Sequence, residues 1–171
     1  MKRTKITALI TLVFLAVGAH AVAQETASAT ATATIVTPIS ITKTVDMNFG
    51  NVAVQSTTGG TVVLTPAGVR SSTAGVTLPS TATGTVTAAS FTVNGTGNYT
   101  YAITLPSSAL TITSGSNTMT VTNFTSTPSG TGTLTAGTQT LNVGATLNVT
   151  AAQPAGTYVS GTPFNVTVNY N

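Results

Sequence analysis

The chain has no cysteine and no tryptophan, a single histidine, and only five basic and two acidic side chains in 171 residues. Each scarcity removes a class of chemistry. Without cysteine there is no disulfide, no thiolate nucleophile and no sulfur ligand for a metal. The few charges are also unevenly placed. Lys2, Arg3, Lys5 and His20 all precede residue 24, which leaves Glu25, Lys43, Asp46 and Arg70 for the rest. The formal charge of +3 therefore belongs to the first segment, and the remainder of the chain is neutral. Acid–base, nucleophilic and metal chemistry draw on His, Cys, Lys and carboxylates. With so few of these groups, no catalytic residue, no metal site and no cofactor is expected. Two cations cannot build the basic face that nucleic acid requires, so that partner is not expected either.

The residues that are present begin with a three-part leader pattern. Met1 to Lys5 is a short basic region, Ile6 to Ala19 is apolar, and Ala21-Val22-Ala23 is a small-x-small cleavage site. These are the marks of a secretory signal peptide. The apolar run is shorter than the about 20 residues needed to cross a bilayer. Cleavage is expected after Ala23, with the mature chain starting at Gln24 and carrying no membrane span. Leu78-Pro79-Ser80-Thr81-Ala82 bears a superficial likeness to a cell-wall sorting signal. No apolar segment or basic tail comes after it, so it reads as loop.

Threonine makes up about a quarter of the mature chain, with Val, Ala, Gly, Ser and Asn filling much of the rest. Threonine is β-branched and favours strands over helices. The apolar period is two throughout. Tyr99, Tyr101, Ile103 and Leu105 alternate with Thr100, Ala102 and Thr104; Phe164, Val166, Val168 and Tyr170 alternate with Asn165, Thr167 and Asn169. Strands are predicted over 30–36, 38–48, 60–65, 84–94, 98–105, 109–113, 118–124, 132–135, 138–143, 145–151 and 157–170, the last with a bulge near Gly161. Asn94-Gly95-Thr96-Gly97-Asn98 reads as a hairpin loop. Other turn clusters lie at Ser114-Gly115-Ser116-Asn117, Ser129-Gly130-Thr131-Gly132 and Gln153-Pro154-Ala155-Gly156. Gln55 to Thr83 is expected to be loop, broken by a strand at Val62 to Leu64. Strands this short and regular point to an all-β fold, an antiparallel β-sandwich of Ig-like type. A small β-barrel is the alternative.

The segment Thr26 to Thr34 alternates Ala and Thr almost strictly. Three readings compete for it: a flexible leader, an edge strand of its own domain, or a strand donated to a neighbour. A donated strand of this composition would depend on main-chain hydrogen bonds, with Ile35, Ile39 and Ile41 as anchors.

Few side chains qualify as sites. Lys43 and Asp46 stand three apart in an expected strand, so their side chains should point to opposite faces. They read as solvated strand residues, with Lys43 as edge protection. Arg70, in a Gly/Ser-rich stretch, reads as surface. Gly95-x-Gly97 and Gly130-x-Gly132 open no helix and are turns rather than phosphate loops. The Asn-x-Thr triplets at Asn94, Asn98, Asn123, Asn148 and Asn165 are expected from chance in a chain this rich in both residues. The aromatic residues fall mostly on apolar strand faces. Phe91, Tyr101, Ile103, Leu147 and Val166 are therefore expected to face inward. Tyr158 fits a corner tyrosine whose hydroxyl caps a neighbouring loop.

An ordered set of motifs carries a resemblance. Met47-Asn48-Phe49-Gly50, Phe91-Thr92-Val93-Asn94-Gly95 and Tyr101-Ala102-Ile103-Thr104-Leu105-Pro106 are followed by Val143-Gly144-Ala145-Thr146-Leu147, Ala155-Gly156-Thr157-Tyr158 and Phe164 to Asn171. The chain resembles the secreted bacterial proteins of domain-of-unknown-function family 4402 over nearly its whole mature length. That resemblance implies location and fold. More distantly, Gly-x-Tyr followed by an alternating strand with a penultimate Tyr is similar to chaperone–usher pilins and spore-coat-U-like domains. It implies that the last strand and the N-terminal segment serve in assembly.

These readings give a signal peptide over 1–23, an extended Ala/Thr-rich leader over 24–37 and a single β-sandwich domain over 38–171. The expected function is a secreted, non-enzymatic structural or adhesive surface protein, in its most specific form a pilin-like fibre subunit. Ile35 and the strand residues Phe164, Val166, Val168 and Tyr170 are the candidate assembly positions. The expected partners are other copies of the chain or related surface subunits. The expected location is secreted, periplasmic or on the bacterial cell surface. The alternative is a monomeric extracellular module that binds sugar or protein through loops at one end of the sandwich.

Overall fold

Alternating β-branched residues settle into strands because their stiff side chains pack well on a pleated surface. The computed structural model describes residues 24–171. Among these it has fourteen strands and no helix. The signal-peptide expectation over 1–23 lies outside the described residues. The chain divides into two units, Met1–Thr34 and Ile35–Asn171. In the first, Gln24–Thr34 is exposed and forms no strand. The strand expected over 30–36 is therefore absent. Alanine side chains bury too little area to hold a segment that pairs with no neighbouring strand.

In the second unit, seven strands form one antiparallel sheet: β1 (Ser40–Val45), β4 (Gly60–Leu64), β5 (Arg70–Ser72), β8 (Ala89–Asn94), β10 (Leu110–Ser114), β11 (Asn117–Thr127) and β13 (Thr138–Val149). The order is β1-β8-β13-β11-β10, with β4 also on β13 and β5 on β4. A three-stranded sheet runs β12 (Thr131–Thr133), β9 (Thr100–Thr104), β14 (Thr167–Tyr170). Two short ribbons pair β2 (Asn48–Phe49) with β7 (Val86–Thr87), and β3 (Ala53–Val54) with β6 (Val76–Thr77).

Strand β13 organises the whole. Its residues 138–143 pair with β8, and residues 145–149 pair with β4, so two strands lie end to end along one of its edges. Gly144 stands at the changeover. A Cβ there would come within 2.2 Å of the Leu64 carbonyl oxygen, so only glycine lets the β4 backbone close against the strand. The two strands expected over 138–143 and 145–151 are thus one, with the glycine as a joint inside it.

One face of β13 carries Leu141, Val143, Ala145, Leu147 and Val149, all buried. They seed two adjoining clusters. The first joins Phe91, Val93, Leu141 and Val143 of the large sheet to Tyr101 and Val168 of the small one. Two sheets face each other across it, as a sandwich requires. The second joins Val62, Val121, Leu147 and Val149 to Val76 and, at its margin, to Phe49 and Val54 of the ribbons. Phe124 packs against both clusters. It reaches them at a bulge in β11, where the register shifts between Thr122 and Thr125 and Asn123 takes a φ of 50°. Phe91, Tyr101 and Leu147 are buried as expected, while Ile103 and Val166 are partly buried against the first cluster.

The chain departs from its alternation in two places. Gln55 to Thr83, expected as loop around one strand, also contributes β5 and β6. Their main-chain partners are β4 and β3, which supply a ladder that the Gly/Ser-rich sequence does not advertise. The expected strand over 157–170 shortens to β14, residues 167–170. Val159 makes an isolated bridge to Thr113, and Phe164 and Val166 lie outside any strand. Pro163 has no N–H to give a ladder, and Phe164 turns inward instead. Its ring lies 5.0 Å from that of Phe124 and meets Phe91 edge-on at 6.4 Å. Of the four residues expected to alternate along this strand, only Val168 and Tyr170 are strand residues.

Candidate functional site

The polar side chains that reach farthest across the sequence converge where the chain enters the domain. Tyr170, the last residue of β14, donates its hydroxyl proton to the Thr37 carbonyl at 2.9 Å. The Tyr170 hydroxyl oxygen accepts the Thr96 amide at 2.7 Å. Thr96 Oγ1 in turn accepts the Thr37 amide at 2.8 Å. Three segments are therefore held by one phenol and one hydroxyl: the entry to β1, the β8–β9 loop and the C-terminal strand. The neighbouring Gly95 is required, because a Cβ there would sit 2.2 Å from the Tyr170 oxygen. Tyr99 flanks the junction, its ring 5.6 Å from that of Tyr170 and 47% exposed.

Next to this junction stands an open strand edge. In the three-stranded sheet β14 pairs only with β9, so its outer edge has no strand partner among the described residues. Ile35 is 97% exposed, the most exposed large apolar side chain among the described residues. Of the candidate assembly residues, the structure thus places Val168 and Tyr170 on a free-edged strand, Ile35 in solvent, and Phe164 and Val166 in the margin of the core.

Strand β1 closes the opposite sheet at its own edge. Lys43 pairs in register with Phe91, so its side chain leaves the edge strand on the core-facing side. A charge so placed obstructs pairing by another chain. Lys43 and Asp46 do meet, contrary to the opposite-face expectation: Nζ lies 2.7 Å from Oδ1 and 2.8 Å from Oδ2. A bulge between Lys43 and Val45 adds one residue and reverses the facing of the residues after it. The pair is exposed and adds little stability.

Arg70 is more than a surface residue. Its guanidinium donates to the carbonyls of Phe49 and, at 3.0 Å, Asn51, tying β5 to the end of β2 and the residues just after it. Tyr158 caps a loop as a corner tyrosine does, donating to the Pro154 carbonyl at 2.8 Å and accepting from Gln153 at 2.9 Å. In the core, Tyr101 donates to Gln139 Oε1 at 2.7 Å, and burial pushes its phenol pKa up from the usual 10.0. An open cleft of about 320 Å³ lies between Leu105, Pro106, Asn165 and Thr167, and none of its lining groups is ionisable. Among the described residues no three His, Cys, Asp or Glu side chains gather where they could hold a metal ion. No helix among them is long and apolar enough to cross a membrane.

The sheet order and the Gly144 joint sit inside a segment that a family model recognises. The family described as "Domain of unknown function (DUF4402)" matches residues 39–170. The chain belongs to the DUF4402 family. The match starts two residues after Thr37 and ends on Tyr170, so the DUF4402 region includes two of the three segments of the junction and stops short of the third. No curated protein and no solved structure matches the chain.

Proposed function

We propose that this DUF4402 protein is a secreted, non-enzymatic structural or adhesive component of a bacterial surface, built to associate with copies of itself or with related subunits. The observation that carries the reading is a pair of unsatisfied partners in one chain. An exposed, strand-prone Ala/Thr segment ends at Ile35, and β14 has no strand partner along its outer edge among the described residues. Extended segments add to such edges through main-chain hydrogen bonds, with apolar side chains as anchors. In its most specific form the reading is a pilin-like fibre subunit, in which the leader of one copy lies along β14 of the next. Secretion is supported by the basic, apolar and small-x-small pattern ending at Ala23. The absence of enzymatic activity is supported by the scarcity of ionisable groups after Ala23.

The contrast with β1 argues for β14 over that edge as the acceptor. The β1 edge bears Lys43 on its core-facing side, whereas β14 presents Val168, Asn169 and Tyr170 and no charge. Deleting Glu25 to Ile35 should convert multimers to a soluble, folded monomer. Light scattering on protein purified from the secreting cell reads this directly, and an unchanged size distribution overturns strand exchange. The rival reading, a monomeric sugar- or protein-binding module, draws on the open polar cleft beside Leu105 and Asn165. It predicts a wild-type protein that stays monomeric at high concentration.

A further inference from the structure

The three-way junction at Tyr170 does something that neither the core nor the sheet ladder needs. Tyr170 already pairs with Tyr101 through the β9–β14 ladder, and its ring is only partly buried. Its hydroxyl nevertheless makes two good hydrogen bonds, to residues 133 and 74 positions away in sequence. Both of those residues sit outside strands. One is Thr37, two positions past the most exposed large apolar residue, Ile35. The other is Thr96, whose own hydroxyl returns to the same Thr37 amide and, at 3.4 Å, to its carbonyl. Thr37 therefore has both main-chain groups bound although it belongs to no sheet. The loop bearing Thr96 is itself secured, since Gly95 donates its amide to the Gly137 carbonyl at 2.9 Å and Gly137 donates to Gly97 at 2.9 Å. The anchor thus consists of a phenol on the last strand and a loop fastened at both ends.

We infer that Tyr170 is a positioning residue for the leader: with Thr96 it pins Thr37, so that the chain on the N-terminal side of Thr37 starts from a fixed point at the last residue of β14. The geometry of the pin stands alone; its consequence for assembly rests on the strand-exchange reading proposed above. The pin removes conformational freedom from the residues nearest the anchor before any partner arrives, which lowers the ordering cost of association. It also routes any pull on the leader into the loop and the last strand as well as into β1. The arrangement gives the Tyr170 hydroxyl a use that the ring alone does not have. A phenylalanine would keep the ring contact with Tyr99 and lose both bonds.

The test uses the mature chain and three variants. Tyr170→Phe removes the bonds to Thr37 and Thr96. Thr96→Val removes the acceptor of the Thr37 amide and leaves the Thr96 amide free to bond to Tyr170. Tyr158→Phe removes a comparable tyrosine–carbonyl bond away from the junction. Hydrogen exchange of the Thr37 and Thr96 amides is the first readout. Tyr170→Phe should speed both about tenfold, and Thr96→Val should speed Thr37 by a similar factor, the change expected for one lost hydrogen bond. Amides of β13 should speed by no more than the junction amides in both junction variants, and Tyr158→Phe should leave the Thr37 and Thr96 rates unchanged. The second readout is multimer size by light scattering, which should fall at least twofold for Tyr170→Phe with the melting transition still cooperative. Wild-type exchange rates at Thr37 and Thr96 in Tyr170→Phe overturn the pin. Faster exchange with an unchanged size distribution overturns its role in assembly and leaves a closure of the domain. The Glu25–Ile35 deletion separates the two proposals. If it leaves size unchanged, strand exchange fails, whereas the amide rates still decide whether Thr37 is pinned.

Discussion

Replacing Phe91 by alanine tests the register of the whole large sheet. Phe91 is 9% exposed and belongs to the first core cluster, which both sheets share. Fully buried phenylalanines cost about 3–5 kcal/mol when cut to alanine, the transfer loss plus the cavity left behind. Two features of the site decide where in that range the cost falls. The edge-on contact with Phe164 disappears, which removes about 0.5–1.5 kcal/mol beyond area burial. Against that, Phe164 lies in an irregular stretch rather than a ladder, so its ring can move toward the void and recover contacts. The relaxation sets the expectation in the lower half, about 3–4 kcal/mol. The adjacent Thr92 lies on the opposite face of β8, paired with Thr42 and Thr140. Thr92→Ala should cost less than about 1 kcal/mol, the span of strand propensity in a host sheet. Urea unfolding of both variants, fitted with a common m-value, provides the comparison. A domain with about 5–15 kcal/mol of stability survives either change, so both should give complete transitions. Equal losses from the two variants would refute the facing of β8 and with it the placement of Leu141 and Val143 across the pair.

Two further outcomes rest on the same packing. Gly144→Ala should destabilise by about 1–3 kcal/mol, because the new methyl meets the Leu64 main chain, which cannot step aside without breaking the β4–β13 ladder; urea melts of the variant check it, and wild-type stability would mean β4 pairs elsewhere. Tyr101 makes the domain sensitive to alkali. Its native pKa lies above the ordinary 10.0, so the unfolded chain ionises first. The stability this group contributes is complete below pH 10 and is lost as pH rises through the higher native value. Thermal melts of Tyr101→Phe across pH 9–12 should show a shallower alkaline decline than wild type, and an identical decline would assign it to other groups.

Much of the architecture was legible because a strand declares itself locally. The alternation around Phe91, Tyr101 and Leu147 places each inside with no knowledge of its neighbours, since side chains on a pleat alternate faces by geometry. Tyr158 was legible for a related reason: its partner, the Pro154 carbonyl, lies four residues back in the same turn. By contrast, the Lys43–Asp46 contact was misread because a bulge changes facing without changing the local pattern. Arg70 was misread because its acceptors are main-chain carbonyls of Phe49 and Asn51, and a carbonyl has no sequence signature. The expected last strand failed for a third reason. Phe164 keeps the alternating phase of Val166 and Val168, but the nearby Phe91 and Phe124 rings draw it out of the ladder.

The sequence by itself determined that this is an all-β protein, neutral and nearly charge-free after residue 23, because composition and a period of two depend on no distant contact. The tertiary structure alone decided which strands are neighbours, that β8 and β4 share one edge of β13, and that Gly144 is the joint between them. It alone decided that the hydroxyl of the penultimate residue closes on Thr37, 133 positions earlier. The physical reason is the same in each case. Facing along a strand is set by bonds between successive residues, whereas pairing and capping are set by which distant groups the collapsed core brings within about 3 Å of one another, the reach of a hydrogen bond.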